Sequence, residues 1–341
     1  DEIKIREKKG GEWHELSGSS LKMPYRAPYL IHSVEAVSLK PDTFYEIEVD
    51  NTLYFFKTAP LDLPIRFVDG GDVYHDDIKY VDEMSQIIAK YDPLFAIVGG
   101  DLAYPDKSKG KKYGRWLEFI KSYSLHMRGE GGRLIPMVPV IGNHDVDSKG
   151  LQNPSKAPYF YHIFALPETG GYRTLDFNAY LSLFLLDTNH TNPIAGNQSA
   201  WLKEALDKRE KIPYKFASYH VPAYPSHRNF TNEISRLVRK HFVPLFEEAK
   251  LTAAFEHHDH LYKRTFPILQ DAPHKDGVVY VGDGAWGIKK PREPKKTWYL
   301  EKAMAARHVI LIDVDNEKAV FRAIDSKGEV IDSFTREALK K

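Results

Sequence analysis

The chain has 341 residues, which suffice for one large domain, or for one large and one small domain, with a sizeable buried core. Its formal net charge of +1 argues against electrostatic binding to nucleic acid, and no apolar run approaches the roughly 20 residues that a membrane helix needs. Because the chain has no cysteine, disulfides, thiolate metal sites and cysteine nucleophiles are excluded, and any metal must bind nitrogen and oxygen atoms.

From Glu2 to Pro60 the sequence has the pattern of β-strands. Segments rich in β-branched and aromatic residues are separated by turn-forming Gly, Asp and Asn, and they predict strands in "EIKIRE", "YLIHSVEAV", "TFYEIEV" and "LYFFKTA". The pattern changes after "TAPLDLP". We therefore predict a small β-sandwich-like domain, whole or partial, over residues 1–62 and a larger domain over residues 63–341.

The larger domain alternates predicted strands with amphipathic helices, which is typical of α/β proteins. A strand in "IRFVDGG" precedes a helix from Ile78 to Tyr91, and the strand "LFAIVGG" completes a βαβ unit. Two further helices are predicted in "NQSAWLKEALDKRE" and "EISRLVRKHFVPLFEEAK". The remaining predicted strands are "LIPMVPVIG", "YLSLFLLD", "KFASYH", "LTAAFE", "GVVYVGD" and "HVILIDV".

Polar residues follow several of these strands, where open α/β sheets place their functional sites. They lie in "GGD", "GGDLAY", "GNHD", "SYH" and "HDH", and the residues that offer a nitrogen or oxygen ligand are Asp72, Asp101, Tyr104, Asn143, His220, His258 and His260. So many donors exceed the needs of one ion. They suit two metal ions about 3.5–4 Å apart, with one carboxylate bridging them.

The histidine-rich stretch "EHHDHLYKR" has two interpretations. In an extended backbone the side chains of His258 and His260 point the same way and could converge on a metal, while His257 and Asp259 face elsewhere. Taken alone, the stretch is equally compatible with a polar surface turn. The other clusters favour the metal.

The ordered motifs GD, GDxxY, GNH(D/E), xxH and HxH resemble those of the calcineurin-like metallophosphoesterases, and the tyrosine in "GDLAY" resembles the purple acid phosphatase branch. The likeness includes "YLSLFLLDTNH", "NQSAWLKEAL" and the ending "DSKGEVIDSFT". The N-terminal "LKPDTFYEIEV" and "LYFFKTAP" resemble the end of that family's fibronectin-type-III-like domain. The resemblance implies a four-layer α/β/β/α metallophosphoesterase fold over residues 63–341, preceded by a small all-β domain.

The resemblance also implies a set of ligands for each of the two metals. The first metal, iron(III), would be held by Asp72, Asp101, Tyr104 and His260. The second, a divalent iron, zinc or manganese ion, would be held by Asn143, His220 and His258, with Asp101 bridging. A phenolate such as that of Tyr104 is a hard, anionic donor, which suits a trivalent ion.

The implied activity is hydrolysis of phosphate monoesters by attack of a metal-bound hydroxide on phosphorus. His144 would stabilise the transition state or act as the general acid. Asp145, like His257, would orient neighbouring ligands, and His227 and Arg228 would contact a phosphate oxygen.

Two positions depart from the family pattern. Tyr74 stands where the first motif usually has Gly or His, and Asp69 competes with Asp72 as the ligand; Asp72 is preferred because Asp69 falls within the predicted strand. His257 replaces the usual glycine of the last motif. His75 is expected at the rim of the site.

Three alternatives remain open at this point. The chain could be a phosphodiesterase with the same metal centre, since the long segment "PREPKKTWYLEKAMAARH" cannot be interpreted from its pattern. It could be a manganese-type phosphatase without iron. From another class, it could be a non-catalytic metal-binding or scaffold protein with a decayed site.

The expected partner is a small phosphate-ester substrate, with nucleic acid entering only as a substrate. The basic loop "KKPREPKK" is either solvated or borders a site for an anionic substrate. The resemblance suggests export to the periplasm or the cell exterior, and a homodimer by analogy only. The start at Asp1, without an initiator methionine or a signal peptide, fits a processed protein and a trimmed one equally.

Overall fold

The computed structural model describes residues 2–108, 111–147, 153–166 and 170–339. Residue 1 and residues 340–341, which belong to the two predicted domains, lie outside the described residues. The described chain forms two large β-sheets with helices on their outer faces, together with a smaller N-terminal sheet.

The N-terminal region consists of short strands, most of which the sequence pattern predicts. They are β1 Glu2–Glu7, β2 His14–Ser17, β3 Ser19–Lys22, β4 Leu30–Ser33, β5 Phe44–Val49 and β6 Thr52–Lys57. An antiparallel sheet has the order β2-β1-β5-β6, and β3 and β4 form a separate hairpin. The strands β2 and β3 are short and mostly exposed, so no apolar pattern predicts them.

The larger region contains fifteen further strands in its described part. They are β7 Ile65–Gly70, β8 Ala96–Gly99, β9 Met137–Val140, β10 Arg173–Phe177, β11 Leu181–Leu185, β12 Tyr214–Ser218, β13 Ala253–Glu256, β14 Tyr262–Thr265, β15 Ile268–Leu269, β16 Ala272–Pro273, β17 Val279–Gly282, β18 Leu300–Met304, β19 His308–Val314, β20 Lys318–Asp325 and β21 Val330–Glu337. A six-stranded sheet has the order β21-β20-β19-β7-β8-β9, and a seven-stranded sheet has the order β10-β11-β12-β13-β17-β14-β18.

The α-helices of the described chain are α1 Ile78–Ala89, α2 Lys112–His126, α3 Pro158–Ile163, α4 Ser199–Asp207, α5 Glu233–His241 and α6 Val243–Glu248. The prediction of one continuous helix in "EISRLVRKHFVPLFEEAK" is wrong, because α5 ends before Phe242 and α6 begins after it. Pro244 lacks an amide hydrogen and its ring clashes with the preceding helical turn, so the helix breaks there. None of the described helices is long and apolar enough to span a membrane.

Apolar cores hold these layers together. Between the two large sheets, the ring of Phe67 lies 5.7 Å from that of Phe216 and 6.4 Å from that of Phe255. The helices α1 and α2 cover the outer face of the six-stranded sheet, with Trp116 buried beneath them. The helices α4, α5 and α6 cover the seven-stranded sheet around Phe246. The predicted four-layer α/β/β/α fold is therefore confirmed.

Parallel strands in both sheets end at one edge of the sandwich. The strands β7, β8 and β9 are parallel in one sheet, and β11, β12, β13 and β17 are parallel in the other. The polar clusters of the sequence follow β7, β8, β9, β12 and β13. The fold thus brings loops from two sheets to a common site at the carboxyl ends of the strands.

The hairpin of β3 and β4 packs on the larger region. Met23, between the two strands, is only 3% exposed and belongs to the same apolar core as Trp116. The ring of Tyr25 lies 5.4 Å from that of Tyr159. We propose a domain boundary near residue 62, with this hairpin docked across it; the fibronectin-type-III likeness stays a prediction.

Candidate metal centre

The predicted metal ligands lie in the loops after β7, β8, β9, β12 and β13, and many have an unusual backbone. Positive φ angles from 47° to 78° occur at Asp72, Asp101, Tyr104, His258 and His260. Such conformations cost on the order of 1–3 kcal/mol each for residues other than glycine, and they concentrate at functional sites. The left-handed turns reverse the chain directly after the strands and so direct the side chains toward one place.

One group of donors forms around His220. Its Nε2 atom lies 3.3 Å from Oδ2 of Asp101, 3.2 Å from Oδ1 of Asn143 and 3.2 Å from Nδ1 of His258. The ligand atoms of Asp101, His220 and His258 all lie within 4.8 Å of one another. Nδ1 of His220 donates to the carbonyl of Gly99 at 3.0 Å, so in the neutral ring the lone pair of Nε2 faces the group.

A second group of donors forms around Asp72. Its Oδ1 atom lies 2.8 Å from the hydroxyl of Tyr104 and 2.8 Å from Nε2 of His260, which are 3.4 Å apart. Its other oxygen accepts the backbone N–H of His258 at 2.8 Å. Because the ring of His258 belongs to the group around His220, this hydrogen bond links the two groups.

Asp101 lies between the two groups. Its Oδ1 atom accepts the backbone N–H of His144 at 2.7 Å, whereas Oδ2 is buried and has no hydrogen-bond partner among the described residues. A buried carboxylate oxygen without a partner is costly unless a cation neutralises it. The donor set and this oxygen therefore fit two cations, with Asp101 placed to bridge them.

Protons occupy this cluster when no cation is bound. Burial, followed by the charges of Asp101 and Asp72, raises the pKa of Tyr104 well above the ordinary phenol value. Burial alone would lower the pKa of His220, but Asp101 and Asp72 raise it to about 9. Cations that bind here must displace these protons, so their affinity is expected to fall as the pH falls.

Asp145 holds the loop that carries Asp101. Its Oδ2 atom accepts the backbone N–H groups of Asp101 at 2.8 Å and Gly142 at 2.9 Å, and Oδ1 accepts that of Leu102 at 3.0 Å. All three donors are backbone groups. The side chain therefore fixes the shape of the loop, which suits the orienting role predicted for it.

His144 faces the cluster from the loop after β9. Its ring lies 4.5 Å from that of Tyr104, and Nε2 is 4.0 Å from Oδ2 of Asp101. Nδ1 bonds to the carboxylate of Asp106 at 2.7 Å. Burial lowers the pKa of His144, but the bond to Asp106 and the charges of Asp101 and Asp106 outweigh it, so the net pKa is raised. The raised pKa favours the protonated ring, which can donate a proton.

Asp259 holds His227 and Arg228 beside the loop that carries His258. Oδ2 of Asp259 accepts both of their backbone N–H groups, at 2.7 and 3.0 Å. The Arg228 guanidinium donates to Oδ1 of Asp259 at 2.7 Å and to the carbonyl of His258 at 2.5 Å. Nδ1 of His227 donates to the carbonyl of Glu293 at 2.8 Å. Both side chains lie at the rim rather than within the two donor groups.

Asp69 lies apart from both donor groups. It sits in β7, where Oδ2 accepts from Ser218 at 3.2 Å and Oδ1 lies 3.6 Å from Nε2 of His257. The ring of His257 fills the space beside Gly99, where any Cβ atom would overlap it. This arrangement favours Asp72 over Asp69 as the ligand.

The rim near the donor group around Asp72 contains His75 and Tyr74. The His75 ring lies 5.0 Å from that of Tyr104 and 4.9 Å from that of His260. The hydroxyl of Tyr74 instead donates to Glu118, away from the cluster.

The structure corrects the expected geometry of "EHHDHLYKR". The backbone at His258 and His260 is left-handed and not extended, with φ angles of 78° and 64°. The two rings consequently join different donor groups, as the family resemblance implies, rather than a single point.

Arg292 is a residue at this site that the sequence did not single out. Its backbone N–H donates to the carbonyl of His260 at 2.9 Å, and its half-buried guanidinium has no hydrogen bond or ion pair within the described part of the chain. Burial and then Arg228 lower its pKa, against the attraction of Asp259, Asp72 and Tyr104. The basic composition of "KKPREPKK" is the one signal that points to it; Asp106, likewise missed, has no such signal.

Comparison with known proteins relates the chain to one protein family and to plant relatives. The profile of the family described as Calcineurin-like phosphoesterase matches residues 69–262, which is more than half of the chain. Purple acid phosphatase 13 of Arabidopsis thaliana is 24% identical over 314 residues, covering 76% of this chain and 55% of the relative. Purple acid phosphatase 5 of the same plant is 27% identical over 260 residues, covering 71% and 56%.

A solved structure shares the fold of the chain. The purple acid phosphatase PPD1 from yellow lupin (Lupinus luteus) seeds superposes with a TM-score of 0.82 over 98% of this chain and 68% of its own, at 18% sequence identity. At this identity the likeness concerns the fold. The chain spans about half the length of the curated relatives described above.

Proposed function

The chain belongs to the Calcineurin-like phosphoesterase family, and we propose that it hydrolyses phosphate monoesters at a dinuclear metal centre. The observation that carries the proposal is the pair of linked donor groups around His220 and Asp72. Between them, the buried Oδ2 atom of Asp101 has no hydrogen bond among the described residues and lies 3.3 Å from Nε2 of His220. Membership of the family supports a phosphoesterase with a dinuclear metal centre. The ester type, the metals and the role of each residue belong to the proposal.

Each donor group would hold one ion. Asp72, Tyr104 and His260 would hold the first ion, and Asn143, His220 and His258 the second, with Asp101 shared between them. When bound, the two ions supply the Lewis acidity that activates a water and polarises the phosphoryl group.

The donor types support iron(III) in the first position and a divalent iron, zinc or manganese ion in the second. Burial and two carboxylates raise the pKa of Tyr104, so a strongly polarising cation is needed to displace the proton of its phenol. Two imidazoles and an amide oxygen around His220 are neutral donors when the ring is deprotonated, which suits a divalent ion.

The chain's own side chains would bind and protonate the substrate. His144, held by Asp106, would give a proton to the leaving oxygen. Arg292, whose guanidinium lacks a partner among the described residues, would bind a phosphoryl oxygen. Asp145 would keep Asp101 in place through the loop backbone.

Charge favours monoesters over diesters. A phosphate monoester carries about −1.5 to −2 charge at pH 7, since its second pKa is about 6, whereas a diester carries one negative charge. The cationic side chains of Arg228 and Arg292 near the cluster would stabilise the additional charge. No separate observation favours the phosphodiesterase alternative.

The proposal is tested by initial rates on p-nitrophenyl phosphate and bis-p-nitrophenyl phosphate. The protein is first loaded with iron and a divalent metal, and rates are measured from acidic to mildly alkaline pH. We expect kcat/KM to be at least about tenfold higher for the monoester, which is about 1.4 kcal/mol of transition-state discrimination. A preference for the diester would establish the alternative instead.

Replacement of Tyr104 should change the colour of the iron-loaded protein. Phenolate bound to iron(III) absorbs visible light, and Tyr104→Phe removes the phenolate, so the visible band should disappear. The matched control is Tyr74→Phe, whose hydroxyl bonds to Glu118 outside the cluster and whose loss should leave the band unchanged. A fully active wild-type protein that is colourless and free of iron would contradict the assignment.

Replacement of Arg292 should weaken the binding of dianionic substrates. Arg292→Gln keeps a similar length but removes the charge, and we expect a loss of about 10- to 100-fold in kcat/KM for p-nitrophenyl phosphate, the size of a hydrogen bond to a charged group. The loss should be smaller for the diester. Lys290→Gln, an exposed lysine of the same loop, is the control and should change neither rate. Equal losses on both esters would argue that Arg292 supports only the loop.

Two further expectations extend beyond the site. Export from the cytoplasm is proposed from the resemblance to purple acid phosphatases alone. Within the described residues no feature supports the homodimer expected by analogy.

A further inference from the structure

A polar hollow of about 430 Å³ lies next to the metal centre. Its lining residues are His227, Arg228, Asn229, Thr231, Asn232 and Lys295. None of them has a carboxylate, and all of them offer N–H or O–H donors. The acidic residues nearest in sequence, Glu233 and Glu293, do not line it. The hollow is therefore suited to an anion rather than to a cation.

One wall of the hollow is joined directly to the metal cluster. The Arg228 guanidinium lies 2.5 Å from the carbonyl oxygen of His258, whose ring belongs to the group around His220. Asp259 pairs with Arg228 from the buried side, at 2.7 Å, and so balances its charge. Arg228 therefore lines the hollow and also contacts the backbone of His258, a residue of the metal cluster.

The basic loop "KKPREPKK" contributes Lys295 to the lining, and backbone contacts fix this loop against the site. The N–H of Lys295 donates to the carbonyl of Ser226 at 2.7 Å, and the carbonyl of Glu293 accepts from His227 at 2.8 Å. The Lys295 ammonium donates to Oδ1 of Asn229 at 3.1 Å and has no ion pair among the described residues. Asp259 pairs with Arg228, whereas Lys295 and nearby Arg292 have no ion pair among the described residues, so their charges leave the hollow electropositive.

We propose that this hollow is an anion subsite that binds a second negatively charged group of the substrate, a phosphate or a carboxylate on its leaving group. The inference rests on the proposed function and narrows it to phosphate monoesters whose alcohol portion is itself anionic. The scissile phosphoryl group occupies the metal cluster, while Lys295 and the neighbouring amide and hydroxyl donors bind the second group. A neutral alcohol leaves the hollow to water.

The test compares substrates that differ by one additional anionic group. For the carboxylate the pair is glycerol 3-phosphate and 3-phosphoglycerate, and for the phosphate it is fructose 6-phosphate and fructose 1,6-bisphosphate. We expect the metal-loaded wild-type protein to prefer the anionic member of at least one pair by about tenfold or more in kcat/KM. The pair that shows the preference identifies the chemistry of the second group.

Variants of two lysines separate the subsite from the loop as a whole. Lys295→Gln should reduce the preference to near parity, because kcat/KM should fall more for the anionic member of the pair than for glycerol 3-phosphate. Lys290→Gln, an exposed lysine of the same loop outside the hollow, should retain the full preference. Because Lys295 is exposed, its variant is expected to fold, and its melting temperature checks this.

Two results would overturn the inference. One is a wild-type protein that hydrolyses p-nitrophenyl phosphate but shows no preference in either pair. The other is a Lys295→Gln protein that retains the preference. A wild-type protein that, with both metals loaded, hydrolyses no monoester at all would instead overturn the proposed function, and the inference with it.

Discussion

Asp101→Ala is expected to lower the bound metal below two ions per chain and to reduce kcat on p-nitrophenyl phosphate by about 10³-fold or more, which corresponds to about 4 kcal/mol of transition-state stabilisation. The reason is the position of its carboxylate between the two donor groups, with Oδ2 buried and without a hydrogen-bond partner among the described residues. Loss of this group removes the ligand that the two ions would share. Metal analysis and rate measurement on the same sample check both parts.

Asp69→Asn is the matched control for this experiment. Asp69 is fully buried a few residues away in β7, and burial raises its pKa well above the usual carboxyl value, which favours the protonated form. An amide replaces a protonated carboxyl group with little change in shape or charge. We expect Asp69→Asn to keep metal and activity. If Asp101→Ala also kept its metal and its activity, the result would support a non-catalytic scaffold with a decayed site.

His144→Gln is expected to lower kcat by about 10²- to 10⁴-fold on substrates with a poor leaving group, the usual contribution of a general acid. The imidazole is held by Asp106 at 2.7 Å and lies at the edge of the cluster. The loss should be much smaller on p-nitrophenyl phosphate, because p-nitrophenolate leaves without a proton. A rate loss independent of the leaving group would assign His144 to transition-state binding instead.

The pH dependence of the rate is a second test of proton donation by His144. The bond to Asp106 and nearby carboxylates raise the pKa of His144 against the opposing effect of burial, so the protonated form persists to a higher pH. Activity that needs this proton should decline as the pH rises through that pKa. In Asp106→Asn the charge is gone, so the decline should shift to lower pH. An unchanged alkaline limb would show that another group donates the proton.

Much of the fold can be predicted from the sequence because its strands are buried and continuous. The run "IRFVDGG" contains β7, and the runs around β8, β11, β12 and β13 are almost wholly buried, so their apolar character is strong. The helix α2 has no comparable signal, because its buried residues Trp116, Phe119, Ser122 and Tyr123 include a polar side chain among exposed charges. Its amphipathic stripe is therefore weak.

The candidate site was accessible from the sequence for a different reason. Short motifs at strand ends carry the ligand types in a fixed order, and they place Asp101, His220 and His258 together without any knowledge of the loops. The loops themselves follow no period. Left-handed φ angles at Asp72 and Tyr104, the carboxylate of Asp106 behind His144 and the position of Arg292 depend on tertiary contacts. Such features become visible only in three dimensions.

The most direct test of the account is a metal titration that records bound ions per chain and the rate on p-nitrophenyl phosphate in the same samples. Chelator-treated protein is reconstituted stepwise with iron and a divalent metal, and bound metal is measured by mass spectrometry. We expect hydrolysis to rise with metal occupancy and to reach its maximum at two ions per chain. Full activity in protein that retains no metal, or saturation at a single ion, would contradict the dinuclear centre.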